Sequence, residues 1–280
     1  MILFECDKPS LYATGDLHGC FTLMGNFIKR NLTDCALVVC GDIGFGFENE
    51  GYYEQTFNKL NKDLKKINVE VFLIRGNHDD PSYFTENGRI KTYSNIHIAP
   101  DYSVINMTAL GTSGIMIGGA VSVDRTWRHL NDSLRHIKHM KYHPNDEDFK
   151  WSHWSGEMPV FDRKSIGLAI RKHGHIDTVF THTCPSFCEP TSKEGISGFM
   201  SVDPDLEKDI DEERGVMDNI HTFLCEHDSK PSVWCYGHYH RSFHDEIDGT
   251  RFVMLDMARE QHNSMDVYDL TRVIGNGQQE

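Results

Sequence analysis

The sequence predicts an α/β fold, in which strands and helices alternate along the chain. Short apolar runs alternate with segments of helical periodicity through the first third of the 280 residues. Five polar clusters, each beside an apolar run, are spread from residue 15 to residue 240. These clusters can form one site only if the whole chain folds together, so we predict a single domain over residues 1–280.

Three buried strands and two helices are predicted in the first third of the chain. The runs 11–14, 36–40 and 69–74 are short and apolar, as in strands covered on both faces. The segments 21–30 and 52–67 have apolar residues at helical spacing. Each predicted strand leads to a polar cluster, and open α/β sheets place their sites at such strand ends.

The rest of the chain is predicted to extend the sheet and to add further helices. Residues 92–119 contain several short β-like pieces, which indicate hairpins. The acidic segment 189–213 carries two prolines and several turn residues, so we predict a surface loop there. The remaining predicted elements are helices over 161–172 and 216–227 and strands over 176–180, 232–236 and 251–255.

Residues 121–160 form the most individual stretch of the sequence. The stretch is polar and aromatic, lacks core periodicity and contains five histidines. We predict that it is an insertion or lid over the rest of the site. Its tryptophans could stack on a substrate ring or anchor the lid, and we favour anchoring; they are Trp127, Trp151 and Trp154.

The five polar clusters supply the groups that divalent cations bind. Carboxylates suit hard cations, and imidazole suits Mn, Fe, Zn or Co. One carboxylate can bridge two metals, and an asparagine adds an oxygen ligand without adding charge. The clusters are Gly15-Asp16-Leu17-His18-Gly19, Gly41-Asp42-Ile43-Gly44, Gly76-Asn77-His78-Asp79, Thr181-His182-Thr183 and Gly237-His238-Tyr239-His240.

Two cations held close together would explain this choice of residues. A water shared by the cations ionises near neutral pH and can attack phosphorus. Two divalent cations facing two carboxylates leave a net charge of about +2, which suits a phosphate ester. Taken singly, Asp16, Asp42 and Asn77 are equally typical of helix caps and turns. The metal hypothesis depends on the histidines that accompany them.

The order of the five clusters resembles the calcineurin-like metallophosphoesterase superfamily, and the resemblance extends from Gly15 to His240. It implies a sandwich of two mixed β-sheets flanked by helices, with two divalent metals at one sheet edge. The metals would be Mn, Fe, Zn or a mixture. The implied reaction is hydrolysis of a phosphoester by hydroxide held on the metals.

The resemblance also implies a role for eight residues. Asp42 would bridge the metals, and His78 would act as the general acid that protonates the leaving oxygen. The other six would be ligands: Asp16, His18 and His240 for one metal, and Asn77, His182 and His238 for the other. Because alternate residues of an extended segment face the same side, His238 and His240 are expected to point together.

The chain departs from the protein Ser/Thr phosphatases of this superfamily in two of its clusters, and the third cluster ends in Asp79 where those enzymes have Glu. Those enzymes usually have Asp-Arg-Gly after the second Gly-Asp, whereas this chain continues Ile43-Gly44. An arginine for phosphate and an acid that orients the general acid are therefore missing there.

Arg75, just before Gly76, matches an arginine common in those phosphatases. Arg125 or Arg128 could replace the missing arginine, or could equally pair with neighbouring acids. The candidate partners of His78 are Asp79 and Asp80.

Two further metal sites are conceivable, and each has a simpler interpretation. His136, His139 and His143 could share a helical face and bind a third metal, but a solvated helix is favoured because no carboxylate completes the set. Cys184 and Cys188 could belong to a zinc site, but two more ligands at suitable spacing are missing. We therefore predict that the two cysteines are packed thiols.

Composition limits the partners. The formal net charge is −14, which disfavours binding to long nucleic acids because such binding needs Lys and Arg. No run has the ~18 apolar residues that a membrane span needs, and residues 1–10 lack a signal-peptide pattern. We therefore expect a soluble, cytoplasmic protein.

Four functions remain in competition. The leading hypothesis is a phosphoesterase for a small phosphorylated or nucleotide-like substrate. A protein Ser/Thr phosphatase is second, because Asp-Arg-Gly is missing. A nuclease and a non-catalytic binding module follow. The sequence does not give the oligomeric state.

Overall fold

A computed structural model describes residues 2–142 and 151–276 of the protein. Within these ranges, two β-sheets carry twelve strands, and the longer helices lie outside the sheets. The strands are β1 Leu3–Cys6, β2 Leu11–Thr14, β3 Cys35–Val39, β4 Val69–Leu73, β5 Ile96–Ile98, β6 Ser103–Met107, β7 Thr112–Ile117, β8 Thr178–Thr181, β9 Val233–Tyr236, β10 Phe243–Ile247, β11 Thr250–Met254 and β12 Val267–Asp269. The helices are α1 Phe21–Asn31, α2 Glu50–Lys66, α3 Arg125–Tyr142, α4 Arg163–His173, α5 Ser197–Met200, α6 Leu206–Glu226 and α7 Thr271–Asn276.

Both sheets are mixed. The smaller sheet has the order β12-β2-β3-β4-β5, and only β12 runs antiparallel to its neighbour. The larger sheet has the order β1-β6-β7-β8-β9-β11-β10, with antiparallel pairs at β6–β7 and β10–β11. This architecture confirms the predicted sandwich of two mixed sheets flanked by helices.

The alternation of side chains along β3 shows how the layers are built. Cys35, Leu37 and Val39 pack in the cluster that includes α1 and α2, whereas Ala36 and Val38 face the larger sheet. Successive strand residues point to opposite faces, so a continuous apolar run buries both. A third cluster joins α4 and α6 to the outer face of the larger sheet. The layers are therefore helix, sheet, sheet and helix.

The structure corrects the prediction of a loop over 189–213. Helix α6 begins at Leu206, whose side chain is fully buried. Glu207 and Asp209 lie in its first turn, where negative charge is favourable to the helix dipole. Some of the acidic residues that indicated a solvated loop therefore stabilise the first turn of a helix instead.

Residues 121–160 contain a helix that core periodicity did not indicate. Helix α3 is 18 residues long. It buries polar side chains, Arg128 and Asp132, whereas Leu130, Leu134 and Ile137 are 48%, 58% and 68% exposed. Because its apolar stripe faces outward, α3 adds little to the core.

Among the described residues, every helix is too short or too polar to span a lipid bilayer.

Candidate metal centre

The five polar clusters follow the carboxyl ends of β2, β3, β4, β8 and β9. Asp16 follows β2 and is fully buried, and its Oδ1 accepts the backbone N–H of His238 at 2.9 Å. Asp42 follows β3, and its Oδ1 accepts the backbone N–H of His78 at 2.7 Å. Each of these hydrogen bonds joins two clusters, so the loops fix one another at the same edge of the sandwich.

The three side chains predicted to bind one metal lie together with the residue predicted to bridge both metals. Asp16, His18, Asp42 and His240 each offer an atom within 4.8 Å of the others. The Nε2 atoms of His18 and His240 are 3.1 Å apart, and His240 Nε2 is 3.0 Å from Asp16 Oδ2. That Asp16 oxygen is buried and accepts no hydrogen bond from the described residues. Such a set of converging acceptors suits a cation.

The residues predicted to bind the other metal also converge. His182 Nδ1 lies 2.7 Å from the Cys40 carbonyl oxygen, so this nitrogen carries the hydrogen. The opposite nitrogen, Nε2, lies 3.0 Å from Asn77 Oδ1 and 3.3 Å from Asp42 Oδ1. The rings of His182 and His238 are 5.0 Å apart between centroids. With neutral His182, these atoms are all acceptors, and a cation among them would relieve their repulsion.

The loops that carry these residues adopt left-handed backbone conformations. His238 has φ 71° and His240 has φ 52°. The prediction of an extended segment for these two histidines is therefore wrong, because a turn rather than a strand presents them. Asp42 and His18 have φ 46° and 45°. Non-glycine residues in this region are uncommon and cluster at functional sites.

Gly41 shows why glycine precedes the second aspartate. Its φ is +99°, and a Cβ placed there would lie 2.1 Å from His182 Nδ1. Any side chain at this position would displace the imidazole from the Cys40 carbonyl oxygen. Sequence patterning locates the glycine beside Asp42, but only the fold shows that the space belongs to a histidine about 140 residues away.

The two buried histidines of the site, His182 and His238, differ in pKa. Burial lowers the pKa of His182, but the carboxylates of Asp42 and Asp16 outweigh this effect and raise the pKa to about 10. Burial lowers the pKa of His238 to about 3, with a contribution from His182. His182 therefore holds a proton where a cation would otherwise balance the carboxylates, while His238 is neutral and available as a ligand.

His78 lies beside this group of side chains and is partly exposed. Its ring is 5.3 Å from that of His18 between centroids. Burial lowers the pKa of His78, and Asp42 opposes that shift. Neither candidate partner is engaged with its ring in the described contacts. Asp79 binds backbone N–H groups, and Asp80 binds Ser82 and Arg89.

Asp79 has a structural function that sequence reasoning missed. Its buried carboxylate accepts the backbone N–H groups of Ile43, Gly44, Phe45 and Gly76 at 2.7–3.0 Å. It thereby ties the loop after β3 to the loop after β4. Burial and the charge of Asp42 raise the pKa of Asp79 to about 6, against the effect of these hydrogen bonds.

The structure gives Arg75 partners within the protein. Its Nε and Nη2 donate to Asp101 Oδ2 at 3.1 and 3.0 Å. Nη1 and Nη2 also donate to the carbonyl oxygens of Gly156, Glu157 and Met158. The guanidinium is thus committed to holding the 156–158 loop, and we do not include it in the proposed phosphate site.

The other two arginines differ from each other. Arg125 pairs with Asp203 and Asp209, as expected if it neutralises neighbouring acids. Arg128 is 8% exposed, and its Nη1 donates to Ser122 Oγ at 2.7 Å. Its Nη2 is buried and has no hydrogen-bond partner among the described residues. An unmet buried donor is costly, so Arg128 is the arginine best prepared to bind a ligand.

The tryptophans of the 121–160 segment differ in how far they are exposed and in what they contact. Trp154 anchors the segment, because its ring occupies the space beside Gly46. Trp127 is 49% exposed, which does not fit the anchoring prediction. Trp151 is 42% exposed and lies near the His136 ring.

The alternative metal sites find little support. In the described ranges, the one cluster of three or more His, Cys, Asp or Glu groups with metal-binding geometry is the Asp16 group. His143 lies outside the described residues. Cys184 and Cys188 are buried free thiols in an apolar cluster, which confirms the packing prediction.

Ser122 and Glu157 have a function that sequence reasoning missed. Ser122 Oγ accepts from Asn77 Nδ2 at 2.9 Å and donates to Glu157 Oε2 at 2.7 Å. The signal available in the sequence was a polar serine beside an apolar Gly-Gly-Ala-Val run, which sequence alone could not connect to Asn77.

Comparisons with known proteins agree with this fold. A family model described as calcineurin-like phosphoesterase matches residues 9–242. A sequence comparison with curated proteins gives no significant match. A solved crystal structure is similar at TM-score 0.51 and 17% identity, over 94% of this chain and 96% of the other, which supports the fold alone.

Two named structures are more distant. The protein TT1561 of Thermus thermophilus has a TM-score of 0.47 at 9% identity, over 93% of this chain and 98% of its own. Phosphopantetheinyl hydrolase of Mycobacterium tuberculosis has a TM-score of 0.41 at 14% identity, over 94% and 96%. The family match spans most of the chain, which therefore belongs to the calcineurin-like phosphoesterase family.

Proposed function

We propose that this chain is a phosphoester hydrolase that uses two divalent cations, Mn, Fe, Zn or a mixture. The observation that carries the proposal is the convergence of potential ligand atoms from five loops, above all the buried Asp16 Oδ2, which has no hydrogen-bond partner among the described residues and lies near the Nε2 atoms of His18 and His240. Oxygen and imidazole ligands in one small volume suit these borderline cations.

The contacts support a set of ligands for each of the two proposed cations. Asp16, His18 and His240 would hold one cation. The other would be held by Asn77, His182 and His238. Asp42 would bridge them, because its Oδ1 faces His182 and its Oδ2 faces His18 at 3.8 Å.

Bound cations would supply Lewis acidity for the phosphoester and would lower the pKa of a water for the attack. The chain itself would supply a proton for the leaving oxygen from His78. The backbone N–H of His78 binds Asp42, so the residue is tied to the bridging position. Arg128 Nη2 would bind a phosphate oxygen, since it is a buried guanidinium donor without a partner among the described residues.

We infer that the substrate is small or nucleotide-like. A cavity of about 650 Å³ adjoins His238 and Tyr239, and ligand sites for small molecules commonly have volumes of roughly 300–1,000 Å³. Polar and charged side chains line it, including Lys193, Arg214 and Arg241. Such a cavity suits a compact phosphorylated molecule rather than a duplex nucleic acid.

We also propose that residues 1–280 act as one domain, with residues 121–160 as a lid. Support comes from the apolar cluster that joins the two sheets and from the three carbonyl oxygens of 156–158 that bind Arg75. The eight cysteines are all free thiols, which suits a reducing compartment such as the cytoplasm.

A substrate panel tests the proposal. Protein loaded with Mn²⁺ is assayed on a chromogenic phosphodiester, a chromogenic monoester and a phosphopeptide. We expect turnover of at least one small ester and little turnover of the phosphopeptide. Turnover of the phosphopeptide alone would make the chain a protein phosphatase. No turnover by protein that holds its metals would make it a binding module.

A further inference from the structure

Ser122 lies directly behind the Asn77 amide and is itself held by charged groups. Its hydroxyl oxygen is within hydrogen-bond distance of Asn77 Nδ2 at 2.9 Å, Arg128 Nη1 at 2.7 Å and Glu157 Oε2 at 2.7 Å. Ser122 is fully buried, and Glu157 is 6% exposed. These residues form a closed polar network beside the second cation position.

The hydrogens in this network can be counted. The serine hydroxyl has one hydrogen, and the Glu157 carboxylate can only accept, so that hydrogen points to Glu157. Both lone pairs then accept, one from Arg128 and the other from Asn77. An Asn77 amide turned by 180° would place its oxygen against a hydroxyl that has no hydrogen left. The network therefore permits one orientation of the amide.

Glu157 is fixed in turn by backbone contacts. Its Oε1 accepts the backbone N–H of Ser122 at 2.9 Å. Its own carbonyl oxygen accepts from Arg75 Nη1 at 2.8 Å. The Glu157 carboxylate thus binds both the backbone N–H and the hydroxyl of Ser122, and Arg75 holds the loop that carries Glu157. These contacts keep the hydroxyl hydrogen directed to Glu157 rather than to Asn77.

We propose that Ser122 is a positioning residue that, with Glu157 and Arg128, keeps the Asn77 oxygen rather than its nitrogen facing the second cation. The inference rests on the proposed binuclear site. It assigns a function to the contact between Ser122 and Glu157, two residues of the 121–160 segment. In the observed orientation Asn77 Oδ1 lies 3.0 Å from His182 Nε2, as expected for two ligands of one cation. In the opposite orientation an NH₂ group, which has no lone pair to offer, would face the cation.

The test is calorimetric titration of metal-free protein with Mn²⁺. Wild-type protein is expected to bind two Mn²⁺ per chain. Ser122→Ala removes the acceptor for Asn77 Nδ2, and we expect the second site to weaken by about 10–100-fold, as is typical when such outer partners of a ligand are lost. The site of Asp16, His18 and His240 is expected to change by less than about threefold.

Glu157→Gln gives a second variant of nearly equal size. The glutamine can donate to the Ser122 oxygen, which frees the hydroxyl hydrogen for a turned Asn77, so we expect weakening of the same site. Ser229→Ala is the matched control, because Ser229 is fully buried and its hydroxyl has no hydrogen-bond partner among the described residues. It is expected to leave both sites unchanged.

The outcomes separate the two proposals. Two unchanged sites in folded Ser122→Ala and Glu157→Gln proteins would refute the function of Ser122 alone. Equal weakening of both sites, together with a lower melting temperature, would show a general structural effect and would also refute it. Wild-type protein that binds no Mn²⁺, Fe²⁺ or Zn²⁺ would overturn the binuclear site and this inference with it.

Discussion

His18 Nε2 and His240 Nε2 lie 3.1 Å apart, although 222 residues separate them in the sequence. Two imidazole nitrogens at this distance can share at most one hydrogen. Asp16 Oδ2 lies 3.0 Å from His240 Nε2 and 3.7 Å from His18 Nε2. A site that draws these atoms together without a donor for each of them is arranged for a positive charge.

Asp42→Ala is expected to abolish tight binding at both cation positions. The carboxylate faces His182 on one side and His18 on the other, so its loss removes a ligand from each position. Elemental analysis of purified protein should give less than one metal per chain. Asp63→Ala is a suitable control, because Asp63 pairs with Lys29 and Lys66 on helix surfaces. Two metals retained by Asp42→Ala would contradict the bridging role.

His78→Asn is expected to keep both metals and to lose most turnover. The backbone N–H of residue 78 still binds Asp42 in this variant, so the loop is preserved. The side chain no longer protonates the leaving oxygen, and general-acid catalysis contributes about 10²–10⁴-fold. A substrate with a good leaving group should be affected least. Full turnover of a poor-leaving-group ester by His78→Asn would show that the proton comes from elsewhere.

Metal uptake is expected to release about one proton from His182. Burial lowers the pKa of this residue, but the carboxylates of Asp42 and Asp16 raise it to about 10 in the cation-free site. A ligand imidazole must be neutral, so below that pKa affinity at the second position should rise up to about tenfold per pH unit. Titration calorimetry in two buffers of different ionisation enthalpy measures the released proton.

The same pKa has the opposite effect on cation-free protein. The folded pKa of His182 lies above its ordinary value, 6.5. Its contribution to stability is therefore full below pH 6.5 and is lost as the pH rises toward 10. Urea unfolding of wild-type and His182→Ala proteins at about pH 6 and about pH 9, without metal, isolates this contribution. A difference between the two proteins that is larger at the higher pH than at the lower would contradict the assignment.

Sequence reasoning located the polar clusters well because their chemistry is local. Each cluster combines glycine or threonine with Asp, Asn or His immediately after an apolar run, and strands β2, β3, β4 and β9 fall within two residues of the predicted ranges at both ends. The continuous apolar character of these runs reports burial on both faces, which the three apolar clusters of the structure explain. The fold class was therefore accessible from pattern alone.

What the sequence could not supply was contact between distant side chains. The orientation of Asn77 depends on Ser122 and Glu157, which lie 45 and 80 residues further along the chain. The sequence indicated a solvated helix around His136 and His139 but not the rest of α3, because this helix buries arginine and aspartate rather than an apolar stripe. Arg75 is a candidate for phosphate because it matches an arginine common in related phosphatases, whereas its guanidinium turns toward Asp101 and the 156–158 loop.

Arg75→Met is expected to lower the free energy of unfolding without weakening substrate binding. Arg75 is 6% exposed and makes hydrogen bonds to one carboxylate and three carbonyl oxygens, all of which would lose their donor. Breaking a buried charged contact of this kind costs roughly 3 kcal/mol in the free energy of unfolding, and Asp101 is partly exposed, which moderates the loss.

Urea unfolding of Arg75→Met measures that cost, and Arg259→Met is its control. Arg259 pairs with Asp256 but is 40% exposed, so its loss should cost much less than that of Arg75. If Arg75 served the phosphate instead, the variant would keep its stability while KM for a small phosphoester rose. We expect the reverse: a large loss of stability and a KM within about threefold of wild type for the folded protein, because the guanidinium has its partners inside the protein.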